Sequence, residues 1–246
     1  MSMGLNWGIF FEDAPFGGVK YYQWLLEGFR NTVALFVCAW LLAFIAGSLV
    51  GIFRTLPNRF LRLLGTLYVE FFRNIPLLVQ FFLWYVVAPE LLPRNLGIWV
   101  KRIDPPLQSF VFSVICLGLF TGGRIAEQVR SGIEALSGGQ RKAALALGMT
   151  LAQTYRYILM PNAYRIIMPP LTSESLNLIK NTAVASTIGL IDLTFQAYRL
   201  LDFSAYSYES FTAITLAYVF LCLITLGIMR FVERRIRLST TPRTKA

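Results

Sequence analysis

The chain of 246 residues has no histidine, only three cysteines and few charges; aspartate, glutamate, lysine and arginine together make up 15% of it, against about 25% in an average soluble domain. Without histidine, Ser–His nucleophiles and the common zinc sites lack an essential group. Cys38, Cys116 and Cys222 lie far apart inside apolar runs, so they read as small buried hydrophobes rather than a disulfide framework. No G-x-x-x-x-G-K-[ST] phosphate loop occurs, which argues against an ATPase site. Residues 1–30 lack a basic start followed by a short apolar core and carry Glu12, Asp13 and Glu27, so they do not read as a cleaved signal peptide.

Apolar residues make up 56% of the chain and fall in blocks of about 20, the length of helix that crosses a ~30 Å hydrocarbon layer. The blocks predict an all-α polytopic membrane protein with about five transmembrane helices, over residues 31–53, 66–88, 109–128, 171–193 and 211–231. The segment before the first block carries Trp7, Phe10, Phe11, Tyr21, Tyr22, Trp24 and Phe29, which suits a membrane interface. This divides the chain into an interfacial segment at 1–30, a membrane domain at 31–236 and a basic tail at 237–246.

The net charge of +10 does not point to nucleic acid, because the basic residues cluster between apolar blocks and are not interleaved with stacking aromatics. They carry a topology signal instead. With five spans, 14 of them fall on one side and six on the other, so the positive-inside rule places the arginine-rich side in the cytoplasm, the N-terminus outside and the C-terminus inside. Within the first block, Gly47 and Gly51, preceded by Ala43, form a small-xxx-small pattern that lets two helices approach closely, more simply within this chain than between copies.

The longest cytoplasmic connection, about 134–162, predicts a helical hairpin. Ser137 with Gln140, and Thr150 with Gln153, read as capping boxes. Gly148 is placed to stop the first helix in a left-handed conformation, and Pro161 to end the second. The second helix is amphipathic through Leu151, Tyr155, Ile158 and Leu159. Leu136 to Gln140 spell the L-S-G-G-Q signature of ABC ATPases, but without a phosphate loop or a soluble ATPase domain this is turn-and-cap chemistry met by chance.

Lys142-Ala143-Ala144, then Gly148, then Ile158 and Pro161 keep the spacing of the E-A-A, three residues, G, nine residues, I-x-L-P loop. In this the chain resembles the permease subunits of binding-protein-dependent ABC importers. Lys142 replaces the usual Glu and Met160 the usual Leu. The resemblance runs from about Gly28 to Glu233. The stretch Glu70-Phe-Phe-Arg73-Asn-Ile-Pro76-Leu-Leu-Val-Gln80 is similar to the polar amino-acid branch, and Asn6-Trp7-Gly8-Ile9-Phe10 to glutamate/aspartate importers. Such a permease works in the bacterial inner membrane with a second permease, a similar but non-identical chain, with two ATP-binding subunits that take the ATP and Mg, and with a periplasmic amino-acid-binding protein. The resemblance therefore implies no cofactor and no catalytic residue in this chain. It gives Lys142, Ala143, Ala144, Gly148, Ile158 and Pro161 the role of seating the hairpin in the ATPase.

Charges within or near the spans are costly and usually face protein or an aqueous path. Arg124, Glu127, Glu174, Asn177, Lys180 and Asn181 are therefore the candidate pathway residues. Arg124 stands where many amino-acid permeases have Tyr, and a guanidinium suits a second carboxylate on the substrate. Glu127, three residues on, is placed to steady it or simply to pair with it. Lys180 has no acid three or four residues away and needs a partner elsewhere. A stand-alone channel or secondary transporter is the alternative, although five spans show no inverted repeat; an intramembrane enzyme would lack a recognisable nucleophile and base. The orientation has a direct test. In a cysteine-free background, Pro93→Cys in intact cells should react with an impermeant maleimide and Gly139→Cys should react only after the membrane is opened.

Overall fold

The computed structural model describes residues 6–15, 17–136 and 138–237. Ser137 and nearly all of the basic tail lie outside them, so the first capping box and the tail are expectations from sequence alone. The elements are helical: α1 (Tyr21–Thr55), α2 (Arg59–Asn74), α3 (Leu77–Phe82), α4 (Ala88–Leu91), α5 (Arg94–Lys101), α6 (Pro105–Glu134), α7 (Gly138–Ala146), α8 (Leu151–Thr154), α9 (Met160–Asn181), α10 (Leu193–Ser204) and α11 (Ser207–Arg237). Among the described residues there is no strand beyond an isolated Asp13–Lys20 bridge.

Among the described residues, α1, α6 and α11 are long and apolar enough to cross a membrane, and α2 with the α3–α4 run makes a fourth candidate as a broken pair. The break falls at Ile75–Pro76, where Pro76 is extended at φ −55° and ψ 138°. Proline supplies no backbone donor and holds the preceding residue out of the helical region. The block expected at 171–193 is corrected: α9 starts earlier and stops at Asn181, and a 3-10 turn over Thr182–Ile188 follows. The cause is local. Thr182, Ser186 and Thr187 each turn a hydroxyl onto the carbonyl three residues back, at 2.6–2.8 Å, which favours the tighter winding.

The described residues pack as two compact units. The first holds the chain up to Leu41, Ile75–Gly118 and Asn177–Leu223; the second holds Leu42–Asn74, Leu119–Leu176 and the chain from Ile224. In the first unit Leu35, Ala39, Phe81, Cys116, Leu117 and Leu178 form a fully buried cluster. The start of α1 also grips the start of α10. Asn31 Nδ2 donates to the Ile191 carbonyl at 2.8 Å, Thr32 Oγ1 accepts from Leu193 N–H at 3.1 Å, and Asp192 caps α10 by accepting from Phe195 N–H at 2.8 Å. These bonds satisfy helix-end groups that hydrocarbon cannot.

The second unit is organised by close approach of α1 and α6. A Cβ on Gly47 would lie 2.7 Å from the Gly122 carbonyl oxygen and 2.7 Å from Ile125 Cβ, and one on Gly51 would lie 2.7 Å from Val129 Cβ. The small-residue pattern thus serves packing within this chain. Tyrosine hydroxyls tie in the other elements: Tyr68 donates to the Leu119 carbonyl at 2.7 Å, Tyr164 to Ser48 at 2.6 Å and Tyr155 to the Thr55 carbonyl at 3.0 Å. The cysteines are free; Cys116 is buried as expected, but Cys38 is exposed on α1 and Cys222 is half-buried, because an apolar block in a membrane protein need not face a protein core. Gly47→Leu should lower the thermal midpoint of the solubilised protein by several degrees or prevent its accumulation. Gly227→Leu, where an added Cβ meets nothing within 4 Å, should leave it unchanged; size-exclusion chromatography after graded heating reads both.

Candidate transport and coupling site

The charged residues of the second unit are sorted by α6, which carries Arg124, Glu127, Gln128, Arg130 and Glu134 within three turns. Glu127 does not pair with Arg124. Its Oε2 accepts from Arg54 Nη1 and its Oε1 from Arg130, while Arg73 Nη1 lies 3.9 Å from Oε2. Arg130 reaches onward to Glu134 at 2.7 Å. The expectation that Glu127 steadies Arg124 is therefore corrected: spacing along one helix does not reveal an arginine 73 positions away that lands nearer. Nor does Glu70 pair with Arg73; it accepts from Asn74 Nδ2 at 2.8 Å.

Arg124 is held by Glu174 of α9. Nη1 lies 3.6 Å from Glu174 Oε2, Gln128 Nε2 donates to Glu174 Oε1 at 3.3 Å, and the guanidinium stands 5.5 Å over the Phe120 ring. The Arg124 side chain remains 41% exposed while Glu174 is 13% exposed. The arrangement is an anchored carboxylate presenting a partly free guanidinium, which can take a further anion at its open edge.

Asn177, Lys180 and Asn181 belong to the first unit. The two asparagines are half-buried and Lys180 is exposed; among the described residues no side-chain hydrogen bond or ion pair engages any of the three. Lys180 sits in the last turn of α9, where a cation complements the helix dipole.

The hairpin is built as its punctuation suggests, with one correction. Helix α7 ends at Ala146 and Gly148 adopts φ +81°. Gly148 N–H donates to the Leu145 carbonyl at 3.0 Å and Met149 N–H to the Ala144 carbonyl at 3.1 Å, the paired bonds of a Schellman ending. Thr150 and Gln153 form the reciprocal capping box at the start of α8. Pro161, however, does not end the second helix. A π-helical turn over Tyr155–Leu159 leads straight into α9, in which Pro161 is the second residue. The wider turn, with Met160 N–H reaching back to the Tyr155 carbonyl, makes room for a ring that would clash in an α-helix. Asn162 Nδ2 donates to the Ile158 carbonyl at 2.9 Å. Ala144 is buried at 1% exposure, Ile158 is half-buried, and Lys142, Ala143, Gly148 and Pro161 are exposed.

Sequence reasoning missed Arg54 as a site residue, counting it only toward topology. The one available signal was its position at the end of an apolar block, which does not identify a partner.

The glutamate/aspartate import permease protein GltJ of Escherichia coli (strain K12) is 59% identical over 239 residues, 97% of each chain. The probable glutamine ABC transporter permease protein GlnM of Bacillus subtilis (strain 168) is 32% identical over 89% of this chain and 95% of that protein. Among solved structures, that of an amino acid ABC transporter with histidines superposes with a TM-score of 0.72 at 29% identity, covering 87% of this chain and 95% of that one. The MetNI methionine ABC transporter in an inward-facing form shares the fold, with a TM-score of 0.71 at 19% identity over 87% of this chain and 97% of that chain. Residues 41–238 match the model of binding-protein-dependent transport system inner membrane components, and the chain belongs to that family.

Proposed function

We propose that this chain is the permease subunit of an ATP-driven importer that passes glutamate and aspartate from the periplasm to the cytoplasm. The observation that carries the reading is the 59% identity, over 97% of both chains, to a glutamate/aspartate import permease. In this reading, which keeps the five spans expected from the sequence, the N-terminus lies outside and the C-terminus inside, as the distribution of basic residues favours. A second permease subunit, similar but not identical, completes the pathway, two ATP-binding subunits hold the ATP and Mg, and a periplasmic binding protein delivers the amino acid.

The hairpin is the coupling element. Lys142 and Ala143 lie on its exposed face, Ala144 packs its inside, and Gly148 sets its turn, so a rigid knob is offered to the ATPase. The continuous path from α8 through the π turn at Ile158 and Pro161 into α9 links this knob to Glu174 within the second unit. Along the pathway Arg124 receives the side-chain carboxylate of the substrate, with Glu174 orienting the guanidinium; Asn177, Lys180 and Asn181 are the further polar groups on α9, and Glu127 holds the surrounding arginines.

Uptake and ligand-stimulated ATPase activity in proteoliposomes test both parts. Arg124→Tyr should assemble normally yet lose roughly tenfold or more in uptake of acidic amino acids, the scale of one charge-assisted bond pair, with Arg124→Lys intermediate. Unchanged rate and preference over glutamine in Arg124→Tyr would remove the contact. Ala144→Asp, which buries a charge inside the hairpin, should insert in the membrane and abolish ATP-driven uptake; normal uptake at normal abundance would remove the hairpin from coupling.

A further inference from the structure

The second unit contains a cavity of about 530 Å³ that transport of an amino acid does not explain. Its lining includes four arginines, Arg54, Arg62, Arg130 and Arg141, with Thr55, Thr66 and Tyr155 as hydroxyl groups. The acids available to balance them are Glu134, in the lining, and Glu127, which engages Arg54 and Arg130. Two positive charges remain in excess. Arg62 is anchored only through Nη2 to the Leu56 carbonyl at 3.1 Å, and among the described residues Arg141 has no ion pair.

Arg54 is deeply placed. Its side chain is 10% exposed, and its Nε is buried without a hydrogen-bond partner. Gly65 of α2 passes so close that an added Cβ would lie 2.7 Å from Arg54 Cγ, so the stem of the side chain is closely packed. A concentration of like charge is costly, and an anion in the cavity would relieve it.

The surroundings favour one source of that anion. Helix α2 is amphipathic: Arg62 and Thr66, one turn apart, line the cavity, whereas Phe60, Leu63, Leu64 and Leu67 are 47–66% exposed on the rest of its surface. The arginines thus stand where apolar surface suited to acyl chains meets the charged end of the membrane helices α1 and α6. A phosphate group held by arginines with its tails along an apolar helix face is the binding mode of an anionic phospholipid.

We infer that the cavity lined by Arg54, Arg62, Arg130 and Arg141 is a binding site for the phosphate headgroup of an anionic phospholipid. The site fastens α2 and the α7 end of the hairpin to the membrane surface. It is independent of which amino acid is carried.

The intact membrane complex, purified and exchanged into nanodiscs of phosphatidylethanolamine with or without phosphatidylglycerol, provides the test. Native mass spectrometry should find phosphatidylglycerol retained by the wild type, and its presence should raise the thermal midpoint. Arg62→Gln and Arg141→Gln should each weaken retention by roughly fivefold, the equivalent of about 1 kcal/mol per cation at an anionic surface, while Arg62→Lys and Arg141→Lys keep most of it. Arg102→Gln, outside the cavity, should change nothing. Arg54 is left intact because removing it would strip Glu127 of its partner. Equal retention in wild type and both glutamine variants would overturn the proposal. So would full stabilisation by inorganic phosphate in discs of phosphatidylethanolamine alone, which would make it a free-anion site. Loss of the ATP-binding subunits from Arg62→Gln and Arg141→Gln with lipid retention unchanged would instead assign the cavity to an acidic side chain of that partner.

Discussion

The second unit depends on one carboxylate. Glu127 projects from α6 and accepts from Arg54 of α1 and Arg130 of its own helix, with Arg73 of α2 at 3.9 Å. The helices that must come close for Gly47 and Gly51 to meet Gly122, Ile125 and Val129 also carry these cations. Ion pairs to Glu127 balance the charges at one end of this contact. A buried charged side chain without its partner is costly. Small residues and an ion pair are therefore two parts of one device: the first permits contact, the second makes the contact electrostatically tolerable.

A consequence is that Arg124 does not pair with Glu127 and keeps an exposed edge. With Glu127 committed elsewhere, the only acid close to Arg124 among the described residues is Glu174 on α9, and that contact is long, at 3.6 Å. Glu174 is more buried than the arginine it faces. A long pair with the acid inside and the cation outside behaves as a support rather than a closed bond, because the guanidinium keeps donors in hand. An i, i+3 acid would instead have engaged the arginine on its own helix surface.

What could be read from the sequence was local or periodic. The hairpin was legible because its determinants lie within a few residues of one another: Gly148 needs a left-handed turn, and Thr150 and Gln153 cap each other. The apolar blocks behind α1, α6 and α11 were legible by length alone. The failures have a common cause. Pro161 was read by its rule in an α-helix, and the structure changed the helix type beneath it to π. The block at 171–193 was read by apolarity, whereas hydroxyl groups at Thr182, Ser186 and Thr187 compete for backbone carbonyls and end the regular helix at Asn181. The partner of Glu127 was read from spacing, whereas Arg54 arrives from 73 residues away. In each case a property of neighbours in space decided against a property of neighbours in sequence.

The arginines that report topology in the sequence are the same ones that build the second unit. Arg54 and Arg130 contribute to the 14 basic residues on one side, yet both are spent on Glu127. Counted as free charge they would be a signal to the insertion machinery; in the fold their charge is balanced by Glu127 and Glu134. Arg62 and Arg141 are left by the fold without carboxylates among the described residues. A positive-inside count therefore mixes two populations, one paired within the fold and one not. Topology requires only that cations be retained on one side of the bilayer. Stability additionally requires that those brought into contact with one another find a counter-charge.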